Sequence, residues 1–120
     1  MRRVLLILAL IPAAAFPQAR EYYGAIAYSP RTSAHGWSFN HPSRRAAEKV
    51  ALSNCRKLAP DCKTQVWFKN ACGALAVGAD GFGTAWGNPQ QAADDEAFKL
   101  CAKHSKACAV IRRVCSTGKR

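Results

Sequence analysis

From Ala25 to Tyr28 the chain alternates small and large side chains. Ile26 and Tyr28 therefore share one face of a predicted strand, with Ala25 and Ala27 on the other. The stretch from Ala74 to Val77 repeats the pattern. Turn residues follow each strand, Ser29-Pro30-Arg31 in the first case and Ala79-Asp80-Gly81 in the second. A second strand then carries Trp37 and Phe39, or Trp86 alone, so each pair reads as a hairpin. The period next changes to that of a helix. Ala47, Val50, Ala51, Cys55 and Leu58 form one apolar stripe, and Ala93, Ala97, Leu100 and Cys101 form another. Asn88-Pro89-Gln90-Gln91 reads as a helix start, with Asn88 as N-cap and Pro89 at the first helical position. Asp94, Asp95 and Glu96 would then set negative charge near the positive helix end. A closing strand is predicted at 64–68 and again at 109–114.

The two halves are copies. Gly24 to Tyr28 matches Gly73 to Val77, and on the same offset Trp37 falls on Trp86. Beyond a three-residue deletion, Ala47 falls on Ala93, Ala51 on Ala97, Cys55 on Cys101 and Cys62 on Cys108. The predicted fold is one small α+β domain of two tandem ββαβ repeats (22–71 and 72–116) with pseudo-twofold symmetry, its helices packed on the sheet. The alanine-rich stripes call for close helix-on-sheet packing. No linker divides residues 20–120.

Ahead of this domain, Met1-Arg2-Arg3 is a basic start, Val4 to Ile11 an apolar run, and Ala13-Ala14-Ala15 a small-residue cleavage site. That is the pattern of a secretory signal peptide over 1–15, with a later cut after Ala19 as the alternative. The run is too short to cross a bilayer core of roughly 30 Å. Export suits the six cysteines, Cys55, Cys62, Cys72, Cys101, Cys108 and Cys115, which read as a framework of about three disulfides. No close cysteine pair of metal-binding or redox spacing occurs. Symmetry between the copies leaves about seven of the roughly 15 possible pairings; the preferred one joins Cys55 to Cys62 and Cys101 to Cys108 within each repeat, with Cys72–Cys115 joining the two.

Several segments carry a resemblance. They are Tyr23-Gly24-Ala25-Ile26-Ala27-Tyr28-Ser29-Pro30, Val66-Trp67-Phe68, Ala71-Cys72-Gly73-Ala74-Leu75-Ala76-Val77-Gly78, Gly36-Trp37-Ser38 and Ala85-Trp86-Gly87. Together they resemble the small exported bacterial family called domain of unknown function 4189. The resemblance implies an exported, disulfide-containing domain and carries no catalytic set.

No constellation of residues points to catalysis. His35, His41 and His104 lie outside any motif with Ser, Cys or Asp, although His35 and His41 flank the Trp37 strand and are candidates for proximity. The seven acids supply no carboxylate pair: Asp94, Asp95 and Glu96 are accounted for at a helix start, Asp80 in a turn, and Glu21, Glu48 and Asp61 are scattered. Trp37, Trp67 and Trp86 offer faces for stacking on a sugar or base, but a tryptophan duplicated at the same strand position is more often core, and the three read as core. Neither a metal nor another cofactor is expected. Charge is the remaining signal, with 18 basic residues against 7 acidic and a formal net charge of +11. Only Arg2 and Arg3 lie in the leader.

In the first helix Arg44, Arg45, Lys49, Arg56 and Lys57 lie off the apolar stripe and form a candidate anion-binding face. Lys99, Lys103 and Lys106 follow in the second, partly offset by Asp95. Such a field favours an envelope polysaccharide, lipid head groups or an acidic protein, and disfavours nucleic acid in this compartment. The preferred expectation is an exported, non-enzymatic binding protein. The alternatives are a periplasmic inhibitor or immunity-type protein and a small secreted hydrolase with an unrecognised site.

Overall fold

The computed structural model describes residues 20–119; the leader expected at 1–15 lies outside them. The order of elements is β1 (Tyr23–Tyr28), β2 (His35–His41), α1 (Arg44–Arg56), β3 (Lys63–Lys69), β4 (Ala71–Val77), β5 (Phe82–Gly87), α2 (Gln90–Ala102) and β6 (Ala109–Ser116). Each ββαβ unit makes its own three-stranded antiparallel sheet, β2-β1-β3 and β5-β4-β6. The sheets are separate and stack face to face, with α1 outside the first and α2 outside the second. The result is a four-layer α/β/β/α domain whose halves resemble each other.

The alternation in β1 sets these layers. Ala25 and Ala27 face α1, where Ala47, Ala51 and Cys55 are fully buried against them. Ile26 and Tyr28 face the other sheet and meet Phe68, Leu75 and Val114. In the second half Ala74 and Ala76 face Ala93, Ala97 and Cys101. Small residues line both helix–sheet seams because the helix backbone comes very close to the sheet. A Cβ on Gly36 would overlap the Ala51 carbonyl and the Cys55 amide, and one on Gly83 the Ala97 carbonyl and the Cys101 amide.

That matched pair of glycines corrects the alignment of the repeats. Gly36 pairs with Ala27 and Gly83 with Ala76, so Gly36 corresponds to Gly83, Trp37 to Thr84 and Ser38 to Ala85. Phe39, next along β2, then takes the place of Trp86. The Trp37–Trp86 match in the sequence is not a structural equivalence. The loop between β4 and β5 (78–81) is two residues shorter than the loop between β1 and β2 (29–34). The remaining difference falls at a bulge in β2 opposite Tyr23–Ala25.

Helix boundaries differ from expectation in three places. Leu58 lies beyond the end of α1 and is 71% exposed. Pro89, not Asn88, holds the N-cap of α2, in extended backbone and without a side-chain cap bond. Asp94, Asp95 and Glu96 therefore begin a turn too late to cap. Asp94 is instead largely buried, accepting from Arg113 Nε at 2.7 Å and from Gln90 Nε2 at 2.9 Å.

The disulfides pair Cys55 with Cys62, Cys101 with Cys108 and Cys72 with Cys115. The third does not join the copies as expected. Cys72 and Cys115 sit opposite each other on β4 and β6 within one sheet, the register that Tyr23 and Lys69 occupy in the other. The halves are linked through Asn70, a single left-handed residue (φ 51) between β3 and β4, whose side-chain oxygen accepts from the Tyr22 amide at 2.9 Å. Asparagine tolerates this region better than most residues. At the far end Asn40 receives the Gly118 amide on its Oδ1 and gives its own amide to Ser116 Oγ, pinning β6 to β2.

Candidate functional site

Ser43 starts α1 by accepting the Ala46 amide on its hydroxyl at 3.1 Å. With Ala47, Ala51 and Cys55 committed to the sheet, the residues between them turn outward. Arg45, Lys49, Arg56 and Lys57 are all exposed, and together with Glu48, Leu52 and Ser53 they line one shallow concavity of about 650 Å³. Glu48 is the single acid in this lining, and its Oε1 is already engaged by Arg44 Nε at 2.8 Å. Among the described residues none of the four cations makes an ion pair.

Arg44 separates from its neighbours. Besides binding Glu48, it lays its guanidinium over the Trp67 ring, 4.4 Å from the centroid. Lys99, Lys103 and Lys106 are exposed as well, but α2 ends at Ala102, so of the three only Lys99 lies in the helix, Lys103 being its C-cap and Lys106 falling in the bend beyond. The expected offset by Asp95 is not formed, because Asp95 accepts from Gln91 Nε2 at 2.7 Å instead.

A second concavity went unread in the sequence. Trp86 is 62% exposed and Trp67 is 38% exposed, so neither is core. Both line a cleft of about 380 Å³ at the edge where β3 lies over β5, together with Gln65, Val66, Phe68 and Lys69. Its walls are largely apolar. Trp37, on the opposite edge of the stack, is half-buried beneath the Arg112 guanidinium, which lies 3.7 Å from its centroid. A sequence signal for the cleft existed in the composition of β3, where Trp67 sits between Val66 and Phe68 so that alternation must turn it away from the inter-sheet core.

The histidines do not converge. His35 and His41 line one concavity beside Trp37, Phe39 and Leu58, but they stand at opposite ends of β2, roughly 20 Å apart along an extended strand, and His104 is exposed beyond α2. Among the described residues no group of three or more His, Cys, Asp or Glu side chains is placed to hold a metal ion. Nor does any described helix have the length and apolarity to cross a membrane. Asp80 lies in the β4–β5 turn, where its amide donates to Ser105 Oγ at 2.8 Å.

Asp61 is anchored by the Ser29 hydroxyl at 2.7 Å, with Arg31 3.6 Å away. The Ser29 bond foremost holds its carboxyl below the usual carboxylate range. A smaller opposing push comes from burial, and a backbone amide and Arg31 add to the lowering. The bond from the Tyr23 hydroxyl to Glu21 raises the Tyr23 phenol. Both groups are explained by local hydrogen bonding and neither lies in the concavity on α1.

Comparison with known proteins gives three findings. The family model described as domain of unknown function (DUF4189) matches residues 23–115. Protein Rv1269c of Mycobacterium tuberculosis and Protein Mb1300c of Mycobacterium bovis are each 46% identical over 59 residues, which is 49% of this chain and 44% of the relative. The chain thus spans less than half the length of these relatives in the match. The NMR structure of Rv1813c from Mycobacterium tuberculosis superposes with a TM-score of 0.61 at 26% identity, over 97% of this chain and 92% of that one.

Proposed function

Because the chain belongs to the DUF4189 family, which is defined without an activity, we propose from its own geometry that it is an exported, non-enzymatic binding protein whose α1 face takes an anionic component of the envelope or medium. One observation carries this reading. Arg45, Lys49, Arg56 and Lys57 share a single concavity in which the lone acid, Glu48, is already neutralised by Arg44. Four like charges held on one rigid face sustain a positive potential that an anion relieves, and a concave surface focuses it. The three disulfides support an oxidising compartment, and the leader pattern of 1–15 supports export as the route to it.

Affinity capture from envelope extract and culture medium tests the proposal, with the oxidised domain as bait beside a variant carrying Arg45→Glu, Lys49→Glu and Arg56→Glu. Anionic material retained at low salt, and lost both on charge reversal and at moderate salt, is the expected outcome, since the screening length shrinks to about 8 Å at physiological ionic strength. A single protein held equally at both salts and by both baits contradicts it and makes the domain an inhibitor-type protein.

A further inference from the structure

We infer that the cleft between Trp67 and Trp86 is a ring-binding subsite for an acidic glycan. This deepens the reading of α1 as an anion-binding face and rests on it.

The cleft exists because the two copies have diverged at matched positions. Arg112 pairs with Leu75 as Val66 pairs with Ile26, and Trp37 corresponds to Thr84. On the β2–β6 edge the large pair Trp37 and Arg112 fills the space between the sheets, with Arg112 Nε directed at His35 Nε2, 3.4 Å away. On the β3–β5 edge the corresponding positions hold Val66, which lines the cleft, and Thr84, whose Oγ1 donates to the carbonyl of the lining residue Gln65 at 3.4 Å. Two short side chains there leave the volume that Trp37 and Arg112 occupy on the other side.

Into this opening projects Trp86, where the first copy has Phe39. Its indole is 62% exposed, against 43% for Phe39 and 46% for Phe98. It suits a ligand with a flat apolar face, which sheds ordered water on stacking. The C–H face of a pyranose ring has that shape.

Charge fixes the class of glycan. Lys69 in the lining is tied to Glu21 at 3.5 Å, so the charge comes from α1: Arg44 lies over Trp67, which lines the cleft, and binds Glu48, which lines the basic concavity with Arg45 and Lys49. The aromatic platform therefore runs through Arg44 into the basic concavity. One ligand that places a sugar ring on Trp86 and carboxylates or other acidic substituents along Arg45 and Lys49 engages both features. Single-stranded nucleic acid also stacks and carries charge, but the oxidising compartment implied by the disulfides favours the glycan.

The test compares binding of a short oligouronate, linear polyphosphate and oligo-dT to the oxidised domain. The variants are Trp86→Ala, Thr84→Trp and the α1 charge reversal. Thr84→Trp restores on this edge the bulk that Trp37 supplies on the other and leaves Trp86 in place. Melting curves and intact mass confirm that each variant is folded and disulfide-bonded.

Trp86→Ala should weaken oligouronate by about tenfold or more, the scale of one ring stacked on an aromatic side chain, and leave polyphosphate unchanged. Thr84→Trp should do the same by occlusion, while charge reversal should weaken both. If oligouronate binding survives both cleft variants but falls on charge reversal, the cleft inference is overturned and the α1 reading stands. Charge reversal that changes neither polyanion overturns both. Oligo-dT held more tightly than oligouronate, and through Trp86, replaces the glycan with nucleic acid.

Discussion

The Arg112 guanidinium covers the Trp37 ring at 3.7 Å from its centroid, and this pair closes one edge of the sheet stack that the other edge leaves open. Arg112→Ala should remove the cover. A stacked cation of this kind is worth roughly 0.5–2 kcal/mol depending on its desolvation, so chemical denaturation should show a loss of about 1 kcal/mol. In a background where Trp67 and Trp86 are Phe, acrylamide quenching of Trp37 should rise. Unchanged quenching would mean that Arg112 does not shield the ring.

Phe68 is clamped from both sheets. A Cβ on Gly24 or on Gly73 would overlap its ring, which is 1% exposed and has nowhere to move. Gly73→Ala should destabilise by about 1–3 kcal/mol, the range for overpacking a filled core. Combined with Phe68→Leu, which shortens the ring to an aliphatic side chain, the same substitution should cost measurably less. A double-mutant cycle reads the coupling directly, and additivity would show that the two residues do not press on each other.

The disulfides should contribute unequally. Cys72 and Cys115 are 43 residues apart in sequence, whereas each of the other pairs is separated by 7. Loop-closure entropy then assigns about 4 kcal/mol to the long bridge and about 2.4 kcal/mol to each short one. Urea unfolding of the double serine variants should rank them in that order. All three bridges lie within a half, so none should prevent the two halves from separating in a partially unfolded state.

Acid should act through Asp61. Its carboxyl is held below the usual range chiefly by the Ser29 hydroxyl, so the folded state binds the proton more weakly than the unfolded chain does. The stability this supplies is present in full above an unfolded value of about 4 and is lost as the pH falls through the lower folded one. Ser29→Ala should flatten that acid limb. The check is the denaturation midpoint as a function of pH for both proteins, and identical slopes below pH 4 would remove Asp61 from the account.

What the sequence disclosed was local. Alternation at Ala25–Tyr28 assigned the two faces of β1, and the stripe of Ala47, Ala51 and Cys55 assigned the buried face of α1, because both follow from backbone periodicity alone. The equivalence of Trp37 and Trp86 failed because loop length and a bulge, invisible in the pattern, shift the register of β2 against β5. Asp94 looked like a charge at a helix end; its partner, Arg113, comes from a strand that reaches it only after the sheet has formed. The basic face was legible because its spacing is helical. The Trp67–Trp86 cleft was legible only on its β3 side, where alternation turns Trp67 away from the core; Trp86 reaches the lining from β5 only once the two sheets have stacked.

The central claim is most directly tested by a titration of ¹⁵N-labelled, oxidised protein with a short oligouronate at low salt, followed by two-dimensional NMR. The account predicts shifts in the backbone amides between Arg45 and Lys57 and in the indole N–H signals of Trp67 and Trp86, with the Trp37 indole signal unmoved. Shifts confined to α2 or to the His35 edge, or a spectrum unchanged at saturating ligand, would contradict it.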